Sequence, residues 1–454
     1  MPVIRSISGL RATLGDSLTP ALVTEYVSAF SAMLPEGAIV VGRDGRPSGV
    51  WIEQIVCGAL AACGRTVRLL GMVPTPTVQL LTEHSDAVGG IVITASHNPA
   101  PWNGLKFIGG DGVFLDAEQN ATLWKHVDGK EFVYKHEQQH GTIEHITDAA
   151  QKHIAAITSL PMFTPDVVER IRATKIKAVV DAVNCSGSVI VPELLRYFGV
   201  EVIELFCNAS GLFPHTPEPL PENLTELCNA VREHNADIGI SVDPDADRLV
   251  LIGNNGNAIG EEKTIMLAVE AVMRNIELFP NYARKSVVNL STSRMAIDAT
   301  ERYGGTCALA PVGEINVVRA MQQHNAVIGG EGSGGVILPA CHYGRDSLVG
   351  VALVLWLLGN TTTTEWNTLA NTTPYTMIKY KQEISGDVKR LFPSVGWLFP
   401  QGNINTQDGI RVDLPNSWVQ VRASNTEPII RIISEAPTRT EAEELLQTVA
   451  QVFA

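Results

Sequence analysis

The sequence predicts an α/β protein: three similar α/β domains with mixed sheets, then a C-terminal α+β domain. Strand-like apolar runs alternate with amphipathic helical stretches over most of the chain. The alternation restarts near 175 and again near 260, giving blocks of about 100–150 residues, an ordinary domain size. After the Thr- and Asn-rich stretch "GNTTTTEWNTLANTTPY" at 359–375, the pattern becomes successive strands with one closing helix. The expected domains are 1–150, 151–255, 256–368 and 369–454.

In the first block, "GAIVVGRDGRPSG" reads as a strand entering a turn, and "VWIEQIVCGALAACG" as an amphipathic helix ended by Gly64. "TVRLLGMV" and "GGIVITAS" follow as strands. The stretch 116–160 is polar and irregular, so the first boundary falls within it. The second block runs strand "IKAVVDAVN", helix "VIVPELLRYFG", strand "VEVIELF", helix "ENLTELCNAVREHN" and strand "ADIGISV". In the third, helix "KTIMLAVEAVMRNI" precedes strand "KSVVNLS", helix "SRMAIDATERYG" and strand "AVIGG". The stretch 359–375 reads as a link. Beyond it stand the strands "YTMIKYKQEI", "GIRVDLP", "SWVQVRAS" and "IIRIISEA", and the helix "TEAEELLQTVAQVF".

Composition narrows the classes of function. A chain of 454 residues with 45% hydrophobic and 18% charged residues is ordinary globular material. A formal net charge of −14 argues against nucleic acid or an anionic membrane as partner. The apolar run "LVGVALVLWLLG" at 348–359 is too short to span a bilayer and reads as a buried helix. The N-terminal residues lack the apolar segment of a signal peptide. Seven cysteines without CxxC pairing point to reduced thiols in a cytoplasm.

Four loops carry chemistry. In "ITASHNPAPWNGLKF", 93–107, Pro99 and Pro101 oppose a helix and Ser96 and His97 follow a strand, so the loop displays side chains instead of packing a core. Ser96 is an acyl-transfer nucleophile, a phosphoryl carrier or a polar turn residue; the hydrolase elbow G-x-S-x-G is absent. Lys106 and Asn103 favour an anion nearby. In "DPDADR", 243–248, Asp243, Asp245 and Asp247 suit a hard divalent cation. The loop is not an EF-hand, because Arg248 stands where that motif needs glycine and Asn254 where it needs glutamate.

The third loop is "GGEGSGG", 329–335. Its glycines allow close backbone approach, and Glu331 and Ser333 offer an acceptor and a donor for adjacent sugar hydroxyls. In the fourth, "RASNTEPIIR", residues Arg422, Ser424, Asn425, Thr426 and Arg431 combine charged and neutral donors suited to a phosphate dianion.

In this order, the four loops resemble those of the α-D-phosphohexomutase family, whose motifs are T-A-S-H-N-P, D-x-D-x-D-R, G-E-x-S-G and R-x-S-x-T-E-P. They stand here at Thr94–Pro99, Asp243–Arg248, Gly330–Gly334 and Arg422–Pro428, with further matches at "SGLRATLG" containing Arg11, "GRDGRPS", "PTP", "FPHTPEP" and "VGE". The resemblance implies a heart-shaped, four-domain enzyme with one loop per domain facing a central cleft. It implies that Ser96 carries a phosphoryl group between the 1- and 6-positions of a hexose phosphate through a bisphosphate. Mg²⁺ would be held by Asp243, Asp245, Asp247 and phosphorylated Ser96, which a hexose bisphosphate activator would load. His97, Lys106 and Arg248 would assist transfer; Arg11, Glu331, Ser333 and Arg345 would bind sugar and phosphate. Arg422, Ser424, Asn425, Thr426 and Arg431 would grip the non-reacting phosphate. The implied partner is a small hexose phosphate, not nucleic acid or membrane, bound by a cytoplasmic monomer or homodimer.

The chain departs from the family pattern at Gly335, where many members carry a histidine; His342 and Arg345 are the nearby candidates for its function. Gly332 resembles the choice of archaeal phosphoglucosamine mutases, while Asn425 resembles phosphomannomutase/phosphoglucomutase enzymes. Phosphoglucosamine mutase is the expected activity, and phosphomannomutase/phosphoglucomutase the alternative. A metal-dependent phosphatase using Asp243 would leave the Ser96 loop without a role. A non-catalytic sugar-phosphate binder would keep the fourth loop while losing the first two.

Overall fold

The computed structural model describes residues 3–383, 388–423 and 429–453. Three α/β units repeat one strand order. In the first, the strands Val67–Met72, Ile39–Arg43 and Gly89–Ile93 lie parallel, and Trp102–Gly109 pairs antiparallel with the last of them. The second unit repeats this with Glu201–Phe206, Lys177–Asp181, Ile238–Val242 and antiparallel Leu249–Gly253. Thr306–Ala310, Ala283–Asn289, Ala326–Glu331 and antiparallel Gly335–Ile337 form the third. The first sheet is extended to seven strands by Ile4–Ser6, Gly9–Thr13 and Ile143–His145. The C-terminal sheet is antiparallel, in the order Thr376–Glu383, Ile429–Ala436, Trp418–Ala423, Ile410–Asp413 and Asn403–Asn405.

The central strands are buried along their whole length: Gly89–Ile93, Ile238–Val242 and Ala326–Glu331 have no exposed residue. Each therefore reads as a largely apolar run, interrupted only by Ser241 in the second and closed by Glu331 in the third, as strands covered on both faces do. Each turns directly into its antiparallel partner, with closing pairs Ile93↔Leu105, Val242↔Leu249 and Glu331↔Gly335. The three α/β loops singled out from the sequence are these three turns. A rigid sheet thus presents each loop at the carboxyl end of its strand, where open α/β sheets bind ligands.

Two stretches differ from expectation. The link at 359–375 contains the helix Thr363–Asn371, capped by Thr362 Oγ1 on the Glu365 N–H and anchored by buried Trp366 and Ala370. Threonine has modest helix propensity, so cap and burial decide here. The polar stretch 116–160 holds the helices Ala117–Gly129 and Ala149–Thr158. The first begins at a capping box between Asp116 and Gln119 and buries only Asn120, Leu123 and Val127, which leaves its sequence polar overall. The apolar run at 348–359 is the buried helix Ser347–Asn360. No helix among the described residues is long and apolar enough to cross a membrane. All seven cysteines are free.

Candidate active site

Four units border one cleft of about 680 Å³. Arg11, His97 and Lys106 line it from the first unit, Arg248 from the second, Glu331, Ser333 and Arg345 from the third, and Arg422 and Arg431 from the fourth. Ser424, Asn425 and Thr426 lie outside the described residues. Ser96 and the three aspartates sit behind this wall, with Ser96 1% exposed and Asp243, Asp245 and Asp247 fully buried. The sequence expectation of a displayed serine is corrected here: the loop enters an interdomain seam, and the aspartate loop covers it.

Ser96 Oγ donates to Asp243 Oδ2 at 3.1 Å and lies 3.3 Å from His97 Nδ1. Its backbone is left-handed, with φ of 50°, a conformation costing an L-residue roughly 1–2 kcal/mol. Neighbours hold it there. The Ser96 N–H donates to Thr94 Oγ1 at 2.8 Å, and Thr94 donates to Asp44 Oδ2 at 2.6 Å. Arg46, 1% exposed, pairs with Asp44 at 3.0 Å and donates to the carbonyls of Ser96, Asn98, Pro99 and Trp102. Phe213 of the second unit stacks on that guanidinium at 4.8 Å. Arg46 was not among the expected site residues, although it stands inside "GRDGRPS".

The aspartate loop is pinned as firmly. Asp243 Oδ1 accepts the backbone N–H groups of Asp247 and Arg248 at 3.2 Å each. Lys106 Nζ donates to Asp245 Oδ2 at 2.6 Å and Asp247 Oδ2 at 3.2 Å, and Thr75 Oγ1 donates to Asp245 Oδ2 at 2.6 Å. Yet Asp245 Oδ1 and Asp247 Oδ1 are buried with no hydrogen-bond partner among the described residues, and Arg248 Nε stands 3.8 Å from the latter. One ligand oxygen from each of the three aspartates falls within 4.8 Å of the others. Unpaired buried carboxylate oxygens are costly, and a divalent cation with oxygen ligands satisfies them. The donor set fits Mg²⁺.

Burial, then Asp247 and Asp245, push the Asp243 carboxyl well above its usual range. Burial acts the same way on Asp247, but Arg345, Lys106 and Arg248 together hold it well below. Arg248, then burial and Arg11, depress His97, which keeps the imidazole neutral.

Arg345 joins two loops and a helix start. It donates to Asp247 at 2.6 Å, to Glu331 at 2.7 Å and to Glu314 at 3.0 Å. Glu331 also accepts from Asn289 Nδ2 at 2.7 Å and the Gly313 N–H at 3.1 Å. Burial alone would raise the Glu331 carboxyl; Arg345 and Asn289 bring it below its usual range. His342 takes no part: it is buried against Asp346 Oδ2 at 3.1 Å, opposite His153, and does not line the cleft. Arg11 reaches Asn98 Oδ1 at 2.7 Å, bracing the serine loop from the cleft side.

In the fourth unit, Arg422 and Arg431 are direct cross-strand partners and both face the cleft. Like charges opposite one another destabilise a sheet unless something offsets them. Asp408 is 3.8 Å from Arg422, and Arg422 Nε is buried with no hydrogen-bond partner among the described residues.

Comparison with known proteins covers nearly the whole chain. Residues 4–134, 151–256 and 261–375 match phosphoglucomutase/phosphomannomutase alpha/beta/alpha domains I, II and III, and residues 382–452 match its C-terminal domain. A phosphoglucomutase/phosphomannomutase of Thermococcus kodakarensis is 34% identical over 97% of this chain and 96% of its own length. A Methanopyrus kandleri protein named "probable phosphoglucosamine mutase" is 33% identical over 96% and 95%. The crystal structure of a phosphoglucomutase/phosphomannomutase family protein from Burkholderia thailandensis superposes with a TM-score of 0.84 at 25% identity, covering 99% of this chain and 97% of that one.

Proposed function

From the premise that the chain belongs to the phosphoglucomutase/phosphomannomutase family, a family of isomerase-class phosphotransferases, we propose that it moves phosphate between the 1- and 6-positions of glucosamine phosphate. The alternative substrates are mannose and glucose phosphates. We assign its working units to residues 1–150, 151–255, 256–368 and 369–454. The observation that carries the reading is the contact of Ser96 Oγ with Asp243, beside two buried aspartate oxygens that accept no hydrogen bond among the described residues.

In the first half-reaction, the free sugar hydroxyl forms a bond to the phosphorus on Ser96. The Ser96 Oγ–P bond breaks, the sugar hydroxyl loses its proton, and Ser96 Oγ regains one. His97, 3.3 Å from Ser96 Oγ, is placed to pass that proton. The resulting bisphosphate turns around, and its other phosphoryl group returns to Ser96. Mg²⁺ held by Asp243, Asp245 and Asp247, together with an oxygen of phosphorylated Ser96, would neutralise charge on the transferring group. Lys106 and Arg248 add fixed positive charge at the same place. Glu331 and Ser333 hold ring hydroxyls, and Arg345 fixes Glu331 relative to Asp247. Arg11 braces the serine loop and faces the substrate. Arg422 and Arg431, with Ser424, Asn425 and Thr426, grip the phosphate that is not reacting. A hexose 1,6-bisphosphate loads Ser96 at the start.

The test pairs intact mass with coupled assays. Incubation with a hexose bisphosphate adds one phosphate to the chain and none to Ser96→Ala; phosphate on Asp243 instead would favour the phosphatase rival. Coupled assays with glucosamine, mannose and glucose phosphates then rank the sugars.

A further inference from the structure

Beside the sugar loop, the cleft wall carries a carboxylate that the reaction above leaves without a role. Glu262 stands at the start of the helix Glu261–Arg274, lines the cleft, and has a side chain 13% exposed. Its Oε2 accepts the Ser293 N–H at 2.9 Å, and its Oε1 accepts from Lys379 Nζ at 3.0 Å. Lys379 comes from the C-terminal unit and donates equally to Glu261 Oε1 at 2.8 Å. Two carboxylates therefore share one ammonium, and an ionised pair leaves this part of the wall with net negative charge. The same cleft is also lined by Lys381, Arg422 and Arg431, with Lys381 the direct cross-strand partner of Arg431. A sugar phosphate carrying one cationic substituent offers its phosphate to the arginines and its cation to the carboxylate pair.

Gly332 brings the carboxylate to the sugar loop. A Cβ at position 332 would collide with the Glu262 carboxylate, so a side chain there would evict it. With glycine present, Glu262 rests against the backbone between Glu331 and Ser333, and the Gly332 N–H is fixed on Thr292 Oγ1 at 3.0 Å. Burial pushes the Glu262 carboxyl up to about 7, against the pull of Lys379. A carboxylate so poorly solvated gains from a second cation.

We propose that Glu262, seated against Gly332, receives the ammonium of a 2-amino-2-deoxyhexose phosphate whose ring hydroxyls lie on Glu331 and Ser333. The assignment rests on the sugar-loop role given above. It deepens that reading by naming the group that separates an amino sugar from glucose or mannose. The 2-substituent is one carbon away from the 3-hydroxyl, so a group flanking the hydroxyl-binding loop is within its reach. A neutral hydroxyl at the same place would form only an ordinary hydrogen bond, where an ammonium forms a charge-assisted one.

The experiment measures kcat/KM for glucosamine 6-phosphate and for glucose 6-phosphate in the unaltered enzyme, Glu262→Gln and Gly332→Ala. The expected result is a fall of about tenfold or more in the ratio of the two constants in both variants, the scale of one charged hydrogen bond. Gly332→Ala displaces Glu262 while leaving its charge intact, so it reads the same contact should Glu262→Gln weaken the fold. If the unaltered enzyme turns over glucosamine 6-phosphate and either folded variant keeps the original ratio, the subsite is overturned and the amino-sugar reading stands. No turnover of glucosamine 6-phosphate by the unaltered enzyme overturns both.

Discussion

Gly335 and Arg345 are matched: a Cβ at 335 would strike Arg345 Cδ, so the glycine is what admits the arginine to the site. The departure at Gly335 from the expected family pattern thus has a physical partner. Arg345 occupies the neighbouring space and joins Asp247, Glu331 and Glu314. Gly335→Ala should shift the arginine and lower kcat/KM by about tenfold or more, since small displacements of positioning groups cost up to about 100-fold. Far-ultraviolet circular dichroism should stay unchanged. Full activity in that variant would show that Arg345 tolerates displacement and positions nothing.

Arg46 holds the serine loop through four backbone carbonyls, two of them at 2.6 and 2.7 Å. A lysine ammonium cannot reproduce that fork. Arg46→Lys should slow phosphorylation of Ser96 by a bisphosphate about 10- to 100-fold, because the nucleophile loses its fixed orientation. Rapid-quench mass spectrometry reads this rate directly, separately from binding of the monophosphate.

Asp245→Asn and Asp247→Asn each remove a negative charge from a buried donor set. Both should weaken Mg²⁺ binding about 10-fold or more by isothermal titration and depress turnover strongly. Unchanged turnover of the unaltered enzyme in excess EDTA would assign the acidic loop another purpose.

Arg422→Ala separates gripping from chemistry. Contacts present equally in ground and transition states act mainly on KM. A charged hydrogen bond is worth roughly 1.5–3 kcal/mol, so KM should rise about 10- to 150-fold. Slow hydrolysis of phosphorylated Ser96 by water should persist. A normal KM with lost kcat would move this arginine into the chemical step.

Asp346 ties three segments together: it accepts from His153 at 2.8 Å and His342 at 3.1 Å, and caps the helix Ser347–Asn360 through the Leu348 and Val349 N–H groups. Burial would raise its carboxyl, but His153 and His342 hold it well below the usual range. A carboxyl depressed in the folded state stabilises above its unfolded value of about 3.9, and that contribution is lost as pH falls through the folded value. Urea unfolding should therefore show stability declining below about pH 4, with a shallower decline in Asp346→Asn. At pH 7 the variant should lose on the order of 1–3 kcal/mol. An identical pH slope in both proteins would remove Asp346 from the acid response.

Much of this protein is legible in the sequence because its chemistry is local. Asp243, Asp245 and Asp247 follow a buried strand within five residues. The same holds for Ser96 with His97, while Glu331 closes its strand and Ser333 stands two residues on, so strand pattern and loop composition find them together. The helix Thr363–Asn371 escaped that reading because its cap and two buried anchors matter more than its threonines. Contacts between distant segments were not legible at all. Ser96 meets Asp243 across 147 residues, and Arg345 meets Asp247 across 98. Nothing in the chain near His342 says that it turns away from the cleft while Arg345, three residues on, turns into it. Sequence by itself determined which groups are present and which strand ends carry them, since covalent neighbours and hydrophobic periodicity fix those. Only the packing of one unit against another decided that Ser96 is covered, that Arg46 holds its loop, and that Glu262 lies under Gly332, because such contacts depend on where separately folded sheets come to rest.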